Sequence, residues 1–206
     1  MSGFMKLNVF SKALVLTLLT SNTYVLSADS NTAAKQPNYQ VGDRLKNANT
    51  PPKTQYKETT WESLVPEEWN PDKIFQDSNM DMLSDADPRA MELLKKLKDA
   101  WSNAPVEKKL NGAKIRIPGF VVPLEGTNKT FREFLLVPYF GACIHTPPPP
   151  ANQIIYVTAV KPLKNSFVMD AVWVSGTLET TRTKNDMGDA GYKMTGEIIT
   201  PYRKQY

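Results

Sequence analysis

From Lys114 to Ile199 the sequence runs as five short stretches rich in Val, Ile, Phe, Tyr and Trp, separated by Gly, Pro and Asn. No other feature restricts the fold as much. β-branched and aromatic residues in runs of this length suit pleated strands, and the breakers between them exclude long helices. Lys114-Ile115-Arg116-Ile117 alternates, and Gly119 to Leu124 continues as a strand whose Gly and Pro predict a bulge or bend. Phe131 to Val137 is the second strand, with Phe134 to Val137 apolar enough for burial on both faces. Gln153–Thr158, Ala171–Leu178 and Gly191–Ile199 follow, and Gly176 marks a further bend. The expectation is a mainly β protein built as a small five-stranded, OB-like, partly open barrel. An open five-stranded sheet covered by a helix is the alternative.

One helix is expected before the strands, lying over the barrel. Asp87 is a good N-cap, Pro88 suits the first helical position, and Pro105 stops continuation. Met91, Leu94, Leu97 and Trp101 recur every three or four residues, the stripe of a helix that packs on its domain. Upstream, Thr60-Trp61-Glu62-Ser63-Leu64-Val65-Pro66 reads as a single helical turn. Its Trp61 and Leu64, with Trp69, are expected to lie as an apolar strap along the domain.

The N-terminus reads as an export signal over residues 1–27. Lys6 and Lys12 precede the apolar core Ala13 to Leu19, which is shorter than the ~20 residues of a membrane span. Residues 28–59 are polar and aperiodic and read as a flexible tether, which leaves 60–206 as one domain. The formal charge is +4 and falls to +2 without Lys6 and Lys12. Basic residues are scattered, so nucleic acid is not an expected partner. No segment after the signal is apolar enough for a stable span. The expected location is outside the cytoplasm, by export through this leader.

Gly141-Ala142-Cys143-Ile144-His145-Thr146 carries the sole cysteine and the sole histidine, one residue apart, ahead of Pro147-Pro148-Pro149-Pro150. A lone thiol in an oxidising compartment is a liability unless buried, metal-bound or reactive. In extended backbone, residues two apart point the same way, so Cys143 and His145 are placed to grip one ion, zinc or alternatively copper(I). Closing such a site takes about four ligands. Met169, Asp170, Met194 and Glu197 are conceivable additions. A second reading is a Cys–His catalytic dyad with Asn152 or Gln153 orienting the imidazole. A third is structural, with Cys143 as a small buried hydrophobe and the prolines as a stiff extended segment. That segment also suits docking of a partner on Tyr139, Phe140, Pro147, Pro148, Pro149, Pro150, Asn152 and Gln153.

Several stretches together resemble the DUF3299 family of bacterial exported proteins. They are Trp61 to Pro66, Leu110-Asn111-Gly112, Ile117 to Leu124, Phe134 to His145, Pro147 to Gln153, and Val172 to Leu178. The Cys-x-His-x-Pro-Pro-Pro-Pro-x-Asn-Gln run is the most specific of them. The resemblance implies a Gram-negative periplasmic protein that accompanies an ABC-type transport system, linked in some members to zinc supply. It names no reaction. Taken with the residue chemistry, the expected function is a non-enzymatic periplasmic accessory protein that binds or relays a transition metal such as zinc through Cys143 and His145. The alternative is a metal-free module that docks on a transporter or other envelope protein.

Overall fold

The computed structural model describes residues 39–45, 55–70, 87–124, 129–142 and 148–202, all within the compact unit Pro37–Tyr206. Among the described residues, six strands and one α-helix follow in chain order: β1 Lys57–Glu58, α1 Pro88–Ser102, β2 Lys114–Pro123, β3 Thr130–Val137, β4 Ile155–Lys164, β5 Ala171–Glu179 and β6 Tyr192–Pro201. The strands pair in the order β1-β2-β3-β4-β6-β5, and β5 returns to β2. Five strands therefore close a barrel of OB type, with β1 added outside it. Every barrel pairing is antiparallel except β4 with β6.

Strand β2 makes closure possible. Its first part, Lys114 to Phe120, pairs with β5, and its last part, Phe120 to Pro123, pairs with β3. The ladders change sides next to Pro118 and Gly119. Pro118 lacks an N–H for a ladder, and its carbonyl instead accepts the indole N–H of Trp61 at 2.6 Å. At Gly119 a Cβ would lie 2.6 Å from Leu136 Cγ, so only glycine allows β3 this close. The β5–β6 register shifts at Ser175/Gly176 and leaves Glu197 as the extra residue, so the bulge lies on β6 opposite Gly176 rather than on β5.

Alternation sorts the strand residues into two cores. Ile115, Ile117, Val121, Phe134, Leu136, Ile155, Val157, Val174, Leu178 and Met194 fill the barrel. Their neighbours Phe120, Val122, Leu135 and Val137 face outward into a second buried cluster with Ala142, Ile154, Ala171 and Ala190. This explains why β3 is apolar on both faces. Trp61 and Leu64, in the 3-10 turn region Glu62–Leu64, pack into the first core as expected of the strap, each contributing on the order of 2 kcal/mol by burial. Tyr192 ties the same turn down: its hydroxyl donates to the Leu64 carbonyl and accepts the Glu107 N–H, both at 2.6 Å.

Two further details depart from the sequence expectation. Asp87 and Pro88 start α1 as predicted, Asp87 accepting the Arg89 N–H at 2.8 Å. The apolar stripe, however, does not pack along its whole length. Leu97 is buried, whereas Met91 and Leu94 are 65% and 49% exposed. The helix is anchored at its C-terminal end, where the Arg182 guanidinium donates to the carbonyls of Ser102 and Ala104. The second departure lies within the stretch read as a tether. Tyr39 joins the outer core, and β1 adds parallel to β2 at Ile115 and Arg116.

Candidate functional site

The Cys-x-His run leaves the barrel after β3. Cys143, Ile144, His145, Thr146 and Pro147 lie outside the described residues, so the site is approached through its two roots. Pro138 ends the β3 ladder because it has no N–H to give. Tyr139 and Phe140 are then half-buried, and Gly141 and Ala142 are buried. Gly141 has φ +83°, the left-handed region, and its α-carbon faces Val41 so closely that a Cβ would sit 3.2 Å from both Val41 methyls.

A turn from the N-terminal segment clamps this entrance. The Gly42 N–H donates to the Phe140 carbonyl at 2.9 Å, and the Phe140 N–H donates to the Asp43 carbonyl at 3.0 Å. Tyr39 meets Phe120 edge-on at 5.1 Å and stacks on Phe140 at 6.2 Å, and Arg44 lies over the Tyr139 ring at 5.5 Å. Sequence reasoning missed this clamp. Its signals were small: one tyrosine and a Val-Gly-Asp turn in a polar stretch.

The exit is held by side chains that the sequence suggested for other work. Pro148 is exposed, Pro149 is buried and Pro150 is half-buried, and a 3-10 turn Ala151–Gln153 follows. Asn152 is fully buried, and its amide donates to the Pro105 carbonyl at 2.9 Å. The Gln153 amide donates to the Trp61 carbonyl at 2.7 Å and to the Asn152 carbonyl at 3.3 Å. Both amides are thus committed to backbone carbonyls of neighbouring segments. Asn152 Oδ1, by contrast, is a buried acceptor with no hydrogen-bond partner among the described residues. Of the residues named for partner docking, Pro148 is the one that is exposed among those described.

The four conceivable extra ligands separate. Met194 is fully buried inside the barrel. Glu197 accepts the Tyr56 hydroxyl at 2.8 Å and the Thr177 hydroxyl at 3.4 Å, and this hydrogen bond with burial raises the Tyr56 phenol above its ordinary value. Asp170 gives its N–H to the Phe167 carbonyl in the turn before β5. Met169 alone packs against the outer cluster that includes Ala142, on a strained backbone with φ 60°. Met187 packs against that cluster as well. Among the described residues no group of three or more His, Cys, Asp or Glu is gathered to hold a metal ion. Among the described residues, burial pushes the Tyr192 phenol, bonded to Leu64 and Glu107, up to about 12. This phenol is a structural tie and not a base.

The family model of "Protein of unknown function (DUF3299)" matches residues 61–201. The chain belongs to the DUF3299 family. A crystal structure of a DUF3299 family protein from Pseudomonas aeruginosa PAO1, at 2.45 Å resolution, is similar over 74% of this chain and 100% of that one, with 34% sequence identity and a TM-score of 0.57. A search of curated proteins finds no match. The matched stretch contains the barrel, the Trp61–Leu64 turn, α1 and the whole Cys-x-His loop. The Tyr39–Leu45 clamp lies outside it.

Proposed function

We propose that this DUF3299 protein is a periplasmic accessory of a membrane transport system and that it binds a transition metal, zinc first and copper(I) second, through Cys143 and His145. One observation carries the reading. The sole thiol and sole imidazole stand one residue apart in a six-residue span between buried Ala142 and buried Pro149. Roots fixed on a barrel limit the conformations that a short span samples, which lowers the entropy lost when two of its side chains meet one ion. Two protein ligands leave coordination positions for water or for a group on an acceptor, which suits delivery more than storage. A thioether such as that of Met169, which packs against the cluster containing Ala142, would favour copper(I) over zinc. Thiolate ligation releases a proton, so affinity rises with pH through the thiol range.

The test is calorimetric titration of the reduced chain with zinc and with copper(I). The expected result is binding at least tenfold tighter than in a Cys143→Ser, His145→Ala double variant. Equal binding by both chains ends the metal reading. If capture of an envelope protein then required Pro148 and tolerated the double variant, the metal-free docking role would replace it.

A further inference from the structure

We propose that the uncovered strip of α1 attaches the domain to an anionic lipid surface. At about 100° per residue, the side chains of this helix sort into three arcs. Leu93, Leu97, Ala100 and Trp101 form the arc that is buried or half-buried. Arg89, Glu92 and Lys96 form a second, charged arc, in which Lys96 pairs with Glu92 at 3.0 Å and Arg89 pairs with Asp87 at 2.7 Å. The third arc holds Leu94, Lys98, Met91 and Lys95 within about 100° of helix circumference, with Asp99 at its border.

This third arc is the part of the helix that the domain leaves bare. Met91 and Leu94 are 65% and 49% exposed, and neither Lys95 nor Lys98 forms an ion pair among the described residues. The other large exposed apolar residues, Val41, Val160, Val168 and Ile198, stand singly on different segments. Adjacent exposed apolar groups framed by free cations therefore occur here by arrangement, on a helix held mainly at its far end by Arg182.

Charge and size select the occupant. A strip with two large apolar side chains is far below the roughly 1,000 Å² that a stable protein interface buries. A second copy docked through the same strip would bring Lys95 and Lys98 toward their own counterparts, a like-charge pairing. An anionic bilayer supplies both complements at once, phosphate groups for the lysines and the headgroup–acyl boundary for Met91 and Leu94. The proposal is independent of metal binding, so either can fail without the other.

The test is sedimentation with vesicles of phosphatidylcholine alone and of phosphatidylcholine with about 30 mol% phosphatidylglycerol, at low and raised salt. It uses the full chain and the chain without residues 1–27, which separates any contribution of the apolar leader. The expected result for both is partitioning onto the anionic vesicles at least tenfold above the neutral ones, weakened by salt. Lys95→Glu with Lys98→Glu lowers it by about 25-fold or more, at roughly fivefold per lysine. Met91→Ser with Leu94→Ser lowers it about tenfold or more. All four positions are exposed, and unchanged circular dichroism shows that the fold is intact. Equal binding to both vesicle types, loss of binding with the leader, or an equal loss from Lys161→Glu with Lys164→Glu on β4 overturns the proposal. So does self-association that the Met91→Ser, Leu94→Ser pair abolishes, which would assign the strip to a second copy.

Discussion

Tyr192→Phe keeps the volume of a buried ring and removes one oxygen. That oxygen is fully buried, donates to the Leu64 carbonyl at 2.6 Å and accepts the Glu107 N–H at 2.6 Å. The variant leaves a carbonyl and an N–H without partners at the mouth of the barrel. Each such buried group costs about 1–3 kcal/mol, so the expected loss is about 2–5 kcal/mol. Urea unfolding measures it as a lower midpoint at unchanged slope. A melting temperature roughly 2–4 °C lower per kcal/mol accompanies it for a chain of this size. The alkaline limb gives a second readout. Burial pushes Tyr192 up to about 12 from an ordinary 10.0, so the folded chain holds this proton more tightly than the unfolded one. That contribution is complete below pH 10.0 and is lost as pH rises toward about 12, a window in which the phenylalanine chain declines less steeply. A loss below about 0.5 kcal/mol, or identical alkaline limbs, would refute the assignment of this oxygen as the tie between β6 and the Glu62–Leu64 turn.

Two further outcomes follow from close packing. Gly176→Ala places a Cβ 2.0 Å from the Thr195 carbonyl oxygen, and backbone must move to accept it. A loss of about 3 kcal/mol or more is expected in thermal or urea unfolding, and a loss below about 1 kcal/mol would show that the bulge yields easily. Tyr39→Ala removes the ring that meets Phe120 and Phe140. Amide exchange at Gly42 and Phe140 is expected to rise at least tenfold while the β2–β5 ladder keeps its protection, and unchanged exchange would mean that the clamp does not depend on this ring.

Strand alternation made most of the barrel legible, because each strand has one face inside a closed wall and the periodicity of two survives in the sequence. The apolar run Phe134 to Val137 was legible too, since both of its faces meet a core. The docking of α1 was not. Periodicity reports that a helix has an apolar face but not whether the domain offers a surface to receive it. Here the β2–β5 pairing closes the barrel without the helix, and only Leu97 is buried. The hydrogen-bond partners of Asn152 and Gln153 were not legible for a related reason. Both residues follow a proline run, so they read as surface. Their amides reach instead to the Pro105 and Trp61 carbonyls, whose own segments contribute no strand there. The Tyr39–Leu45 clamp was invisible because its partners at Phe120, Tyr139 and Phe140 are distant in sequence and a single aromatic in polar surroundings has no period.

The described segments on either side of the Cys-x-His run differ in what holds them. At the exit, Gln153 is tied to Trp61 and Asn152 to Pro105, and all four residues lie inside the family stretch 61–201. At the entrance, Phe140 is bracketed by Gly42 and Asp43, both outside it. An entrance clamp built from the segment before Trp61 can be loosened without touching the barrel, since none of its bonds belongs to the closed ladder. The exit offers no such freedom: Gln153 leads directly into β4, and the Gly191 N–H that donates to Ala151 at 2.7 Å sits one residue before β6. The Pro149–Gln153 side is thus held by contacts within the family stretch, while Phe140 at the entrance, which follows β3, is held in addition by the separate Gly42–Asp43 turn.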